Sequence, residues 1–206
     1  MKTRFFSLWF LFAVLLLYSN AEAQTIINFD NLGNNVEVTN QYPEATFSST
    51  GGYTNWTTAQ NLGSSLPNFI CTGPTGGGIN CAQPTYIDFT NPVYNLTFLG
   101  VGINDTETVA QVRVFVNGSP SSTVDVIGQG NPNVPVTVNL SAFQNVTRIE
   151  IINITDSGGI GWDDFTFDVG GTSVSIPTMT EWGMIIFIIF AGIASVYSIR
   201  RQRVTR

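Results

Sequence analysis

The chain has 206 residues, 14 acidic and 8 basic side chains, a net charge of −6 and no histidine. Without an imidazole, Ser-His-Asp and Cys-His catalysis and the usual zinc sites are excluded. Charge is also segregated: residues 24–182 keep only Arg113 and Arg148 against 13 acidic side chains, a net −11, which repels nucleic acid and favours divalent cations or neutral partners.

The N-terminus carries an export pattern. Lys2 and Arg4 precede the apolar run Phe5 to Tyr18, and Ala21-Glu22-Ala23 follows with small residues where a signal peptidase reads. Residues 1–23 are therefore expected to be a signal peptide, cut before Gln24. The run is 14 residues long, short for a membrane-spanning helix. The residue directly after the cleavage position is Gln24 and not a cysteine, so a lipid-modified N-terminus is not expected.

Residues 24–169 are written in strand language. Short runs rich in Val, Ile, Thr and Phe occur at Thr25–Asp30, Val36–Thr39, Ala45–Ser48, Thr85–Phe89, Val93–Asn104, Val109–Asn117, Thr123–Ile127, Val134–Leu140, Val146–Ile154 and Trp162–Val169. Val112, Val114 and Val116 alternate with Gln111, Arg113 and Asn117, and Asn117-Gly118 reads as a hairpin turn. Arg148 and Glu150 are placed outward, Ile149 and Ile151 inward. No helical period is convincing before Thr180. The pattern predicts an all-β domain, a β-sandwich of jelly-roll type. Ser49 to Pro84 breaks the rhythm with Gly, Ser, Thr, Asn and Pro, and is expected to be a long functional loop. Short strands could hide in it, Gly52–Thr57 above all. Cys71 and Cys81, the only cysteines, read as one structural disulfide in an oxidising compartment.

After the last strand, residues 170–175 form a linker. Gly183 to Ile199 is 17 residues without a charge. At roughly 1.5 Å per residue it reaches about 25 Å as a helix, enough to cross a thin hydrocarbon core. Trp182 sits at its outer edge, and Arg200, Arg201, Arg203 and Arg206 follow it, so the domain before it is expected to face outside.

Ile176-Pro177-Thr178-Met179-Thr180-Glu181-Trp182-Gly183, then the apolar run, then the arginines, resembles the IPTL-CTERM sorting signal, a relative of the PEP-CTERM tails of bacterial surface proteins. The usual motif reads Ile-Pro-Thr-Leu-Ser-Glu-Trp-Gly, so Met179 and Thr180 depart conservatively. The resemblance implies that residues 176–206 are a sorting signal. In it Ile176, Pro177, Thr178, Glu181, Trp182 and Gly183 would be read by an exosortase-like membrane transpeptidase that passes the protein to the surface or matrix. The alternative is a permanent anchor with the motif as a spacer. A weaker likeness joins Ile27 to Leu32, Val38 to Tyr42, Ala45 to Ser48 and Gly161 to Phe167 to PEP-CTERM ectodomains, which look like carbohydrate-binding jelly rolls.

Candidate sites are few. Asp163 and Asp164 are neighbours on a predicted strand and are expected on opposite faces, which rules out a glycosidase pair. One of them, with Asp30, could hold a structural calcium; otherwise the three are solvated strand-end acids. Tyr53, Trp56 and Trp162 are candidates for stacking on sugar rings, against the alternative of core packing, to which Trp162 leans. Six Asn-x-Ser/Thr sequons, at Asn55, Asn95, Asn104, Asn139, Asn145 and Asn153, read as by-products of an Asn- and Thr-rich composition. The resulting expectation is a non-enzymatic surface or matrix protein, exported, membrane-held and associated with extracellular polysaccharide or adhesion. The alternatives are a dedicated carbohydrate-binding module and, more remotely, a hydrolase or lyase using acids such as Asp105, Glu107 or Asp156.

Overall fold

The structure is a computed structural model that describes residues 24–62, 64–169, 185–193 and 200. The chain divides into two compact units, Met1–Gly171 and Thr172–Arg206. The expected signal peptide, linker and sorting motif lie outside the described residues.

Eleven antiparallel strands build the first unit: β1 Thr25–Ile27, β2 Glu37–Val38, β3 Ala45–Ser49, β4 Tyr53–Ala59, β5 Asn68–Pro74, β6 Thr85–Val101, β7 Thr108–Val116, β8 Ser119–Ile127, β9 Val136–Asn139, β10 Val146–Ile152 and β11 Gly161–Val169. The 17-residue β6 organises them. Its first half, Thr85 to Phe89, pairs with β3 on one side and β10 on the other. Its second half, Val93 to Val101, pairs with β11 and with β9. Between the halves lie exposed Thr90 and Asn91 and then Pro92, which has no N–H to give a ladder and so is suited to a corner. One sheet thus runs β3-β6-β10-β7-β8 and the other β2-β4-β5-β11-β6-β9, with β1 beside the C-terminal half of β11.

The inner faces meet in one apolar cluster. Phe47 of β3 lies 5.9 Å, centroid to centroid, from Phe165 of β11, and Phe89 lies 5.2 Å from Phe167, so side chains of the two sheets touch. Phe98 stacks on Phe165 at 4.9 Å, and Trp162 packs edge-on against Phe98 at 5.8 Å. Aromatic pairs of this kind add about 0.5–1.5 kcal/mol each beyond the area they bury. The β-sandwich read from the alternation is therefore present. Ile149 and Ile151 are buried while Arg148 and Glu150 pair on the outer face. Asn117 and Gly118 both take positive φ, +50° and +80°, as the tight turn joining β7 to β8 requires.

Two expectations are corrected. Thr85–Phe89 and Val93–Asn104, read as separate strands, are joined in one strand, Thr85–Val101, that changes partners near Pro92. The long loop Ser49 to Pro84 contains two full strands, β4 and β5, paired over seven residues from Tyr53↔Pro74 to Ala59↔Asn68. Their Thr, Asn and Gly content hid them, because β4 faces inward with polar residues. Asn55 and Thr57 are fully buried. Asn55 bridges the Ser48 carbonyl at 3.0 Å and the Thr85 hydroxyl at 2.9 Å, and the Thr57 hydroxyl donates to the Gly33 carbonyl at 2.6 Å. Buried polar groups satisfied in this way cost little, so a strand need not be apolar to be internal.

In the second unit residues 185–193 are helical, with Ile185, Ile186, Phe187, Ile188, Ile189, Phe190 and Ile193 all exposed. Among the described residues no helix is long and apolar enough to cross a membrane. The rest of the expected span 183–199 lies outside them.

Candidate functional site

Trp56 stands on β4 in an outward-facing position, beside Cys71 of β5 and Glu37 of β2. What covers this face is the chain that follows β5. After Pro74 a turn closes with Gly77 N–H donating to the Pro74 carbonyl at 3.1 Å. The chain then returns over β5, where the N–H groups of Asn80 and Cys81 both donate to the Thr72 carbonyl at 3.0 Å. The Cys71–Cys81 disulfide, with its Cα atoms 4.8 Å apart, clamps this return. Gly73 is required beneath it, since a Cβ there would run into the Gly78 carbonyl oxygen and come within 3.0 Å of the Trp56 ring. Gly76, Gly77 and Gly78 take φ of +108°, +114° and +97°, conformations that side chains resist. Phe69, Cys71 and Val101 form a small second core under the same cover.

Between this return and the loop before β2 is a cavity of about 370 Å³ lined by Asn35, Trp56, Gly77, Gly78 and Ile79. Asn35, at φ +56°, is pinned by its N–H to the Thr57 carbonyl at 2.9 Å. The buried Trp56 Nε1 has no hydrogen-bond partner among the described residues. An aromatic ring beside amide and main-chain groups, with no charge in the wall, suits a neutral hydroxyl-rich ring.

A second polar place lies where β11 meets the first loop. From Asp163↔Leu99 to Thr166↔Thr97, β11 advances three residues while β6 advances two, and Asp164 takes φ +49°. This bulge cancels the alternation of a flat strand. The two carboxylates, expected on opposite faces, instead meet the same residue. Ser65 N–H donates to Asp164 Oδ2 at 3.1 Å and the Ser65 hydroxyl to Asp163 Oδ2 at 3.4 Å. Asp163 Oδ1 accepts the Asp164 N–H at 2.8 Å. Asp30 accepts the Asn68 N–H at 3.1 Å and stands near enough for its charge to act on Asp163. Burial pushes the fully buried Asp163 carboxyl up to about 7. Hydrogen bonds from the Ser64 side chain and the Asp164 N–H pull it down, and the charges of Asp164 and Asp30 push it up. Tyr42, at the same corner, is raised to about 12, chiefly by burial, and donates to Asn31 at 2.6 Å. Among the described residues no three Asp, Glu, Cys or His side chains are gathered to hold a metal ion.

The other expected residues separate. Tyr53 and Trp56 are three apart on an unbroken ladder, hence on opposite faces, and cannot form one stacking platform. Trp162 is 1% exposed and offers no face to a ligand. Asp156 is a loop anchor: its Oδ2 accepts the N–H groups of Asn104 at 2.7 Å and Asp105 at 3.1 Å, and its Oδ1 that of Gly158 at 3.0 Å. Asp105 in turn accepts the Ser157 N–H at 3.3 Å. Three of the six sequon asparagines have a conformational reason to be Asn: Asn95, Asn145 and Asn153 take positive φ at bulges and strand ends, where Asn is favoured after Gly. Sequence reasoning missed Asn35, the glycine wall and Ser65. The run Gly76-Gly77-Gly78 between two cysteines was the available signal.

No family model and no curated protein matches the sequence. Among solved structures the chain is similar to the K2 cleaved adhesin domain of Lys-gingipain, with 12% identity over 71% of this chain and 100% of that one and a TM-score of 0.48. It is also similar to the K1 cleaved adhesin domain of Lys-gingipain from Porphyromonas gingivalis W83, with 13% identity, 72% and 99% coverage and a TM-score of 0.40. A family 35 carbohydrate binding module from Clostridium thermocellum gives 15% identity, 70% and 97% coverage and a TM-score of 0.35. The likeness is in general β architecture alone.

The Asp163 carboxyl makes stability depend on pH. Its folded value, about 7, exceeds the ordinary 3.8, so between those values the folded state holds a proton that the unfolded chain has released. The stability it contributes is full below about pH 4 and is lost as pH rises through about 7. In chelator-treated buffer the melting temperature of the parent protein is expected to fall, relative to Asp163→Asn, across that interval. Parallel curves for the two proteins would show that Asp163 titrates normally.

Proposed function

We propose that this chain is an exported, non-enzymatic protein of the cell surface or extracellular matrix whose sandwich binds polysaccharide through the Trp56 cavity. The observation that carries the reading is a ring-sized recess beside an indole, walled by the disulfide-clamped glycine return. The disulfide supports an oxidising, extracytoplasmic setting. We read the sandwich as jelly-roll-like because β8, β9, β10 and β11 fall alternately in one sheet and the other. A hydrolase or lyase reading finds little support in Asp105 and Asp156, whose carboxylates are spent on loop N–H groups. A dedicated module would show a sharp preference on a glycan array, and a bulk matrix component a broad one.

In full chain held in detergent, Trp56→Ala is expected to weaken glycan binding about tenfold or more at temperatures where its melting curve shows it folded. Unchanged affinity in a protein that binds glycan would remove the cavity from the reading.

A structural calcium belongs to the same proposal, held by Asp30 with Asp163 or Asp164. Their hard oxygen donors and excess negative charge suit that ion, and it would stabilise an ionised Asp163. Millimolar calcium should then raise the melting temperature above pH 7, and chelation should reverse the rise; no response to either would discard the ion.

Sorting by an exosortase-like transpeptidase is the third part, supported by the Ile176 to Gly183 motif and the arginine tail. Intact mass of the protein from native cells should give a species starting at Gln24 and ending near Pro177 to Glu181, outside the inner membrane. A membrane species retaining Arg206 would leave a simple anchored protein instead.

A further inference from the structure

The chemistry of the cavity wall narrows the ligand. None of Asn35, Trp56, Gly77, Gly78 and Ile79 carries a charge. The domain's two cations are elsewhere and engaged. Arg148, on β10, pairs with Asp88 at 2.9 Å and with Glu150 at 3.0 Å, and Arg113, on β7, pairs with Glu150 at 3.0 Å. Both strands belong to the other sheet from β4, which bears Trp56. A carboxylated or sulfated sugar would therefore find no cation at the wall and would approach a domain of net charge −10. A neutral sugar meets neither difficulty. The Asn35 amide supplies a donor and an acceptor, and the peptide groups of Gly77 and Gly78 are bare of side chains. A Cβ at Gly77 would touch nothing within 4 Å, so open space adjoins that peptide group. The volume, about 370 Å³, is near the lower end of small-molecule pockets, roughly 300–1,000 Å³, and suits one or two rings and not a long run of chain.

We infer that the Trp56 cavity takes the neutral end of a glycan chain and discriminates against uronic and sulfated sugars, with the uncharged rim at Ile79 as a specificity determinant. This rests on reading the cavity as a glycan site. Ile79 is 39% exposed, so a lysine there would place an ammonium at the rim without entering a core.

The test uses the full chain in detergent, with neutral cello-, manno- and xylo-oligosaccharides against oligomers of alginate and polygalacturonate, by calorimetry. Neutral binding is expected to weaken about tenfold or more in Trp56→Ala and, in the parent, to change less than about twofold between low and high salt, as screening acts only on charge. Ile79→Lys is expected to raise affinity for the uronates about threefold at low salt, the worth of one exposed ion pair, leaving the melting curve unchanged. Uronates bound as well as neutral sugars by the parent, and lost in Trp56→Ala, would overturn the neutral class while keeping the cavity. A folded Ile79→Lys protein with no gain would overturn the role of the rim. Binding of neither class, or binding indifferent to Trp56→Ala, would overturn the cavity reading and the inference with it.

Discussion

One strand serving both sheets is the constraint on which this molecule depends. β6 gives its first half to the β3–β10 layer and its second half to the β9–β11 layer, so the two sheets cannot slide independently. Pro92 at the corner withholds an N–H where the ladder must change partners. Phe89 before the corner and Phe98 after it then face the same interior, where Phe167, Phe165 and Trp162 of β11 meet them. A continuous core follows from a continuous strand.

β11 answers to this geometry with bulges. The extra residue at Asp164 re-aims a side chain toward the loop that carries Ser65, and a matching offset at Asn95 of β6 restores the register by Asp168↔Tyr94. The result is a buried Asp163 carboxyl that feels the charges of Asp164 and Asp30, a costly arrangement unless a proton or a cation offsets it. The polar corner is thus a consequence of how the central strand turns, and its electrostatics come with the fold.

The recess beside Trp56 has a different origin. It is made by a chain return with little apolar content, which could not hold itself down by burial alone. The disulfide, the paired N–H groups on Thr72, and the close approach over Gly73 hold it instead. Loop closure by a cross-link of this length is worth about 2–3 kcal/mol in the chain-entropy view.

Much of the domain was legible in the sequence because inward and outward residues alternate with period two wherever a strand buries apolar side chains. Val112 and Val114, Ile149 and Ile151, and the Asn117-Gly118 turn were read that way, and the lack of histidine bounded the chemistry. Of β4 and β5 only Gly52–Thr57, overlapping β4, was suspected, and β5 was not legible, because their buried positions are filled by Asn55, Thr57, Asn68 and Thr72. The pairing of Asp163 with Asp164 was also hidden, since alternation fails at a bulge and a bulge is set by the neighbouring strand. Composition and local pattern therefore determined an acidic all-β domain with one disulfide. Which polar residues are internal, which acids meet, and that Trp56 rather than Tyr53 or Trp162 lines a cavity were decided by tertiary structure. Those are matters of contact between residues far apart in the chain, on which local alternation carries no information.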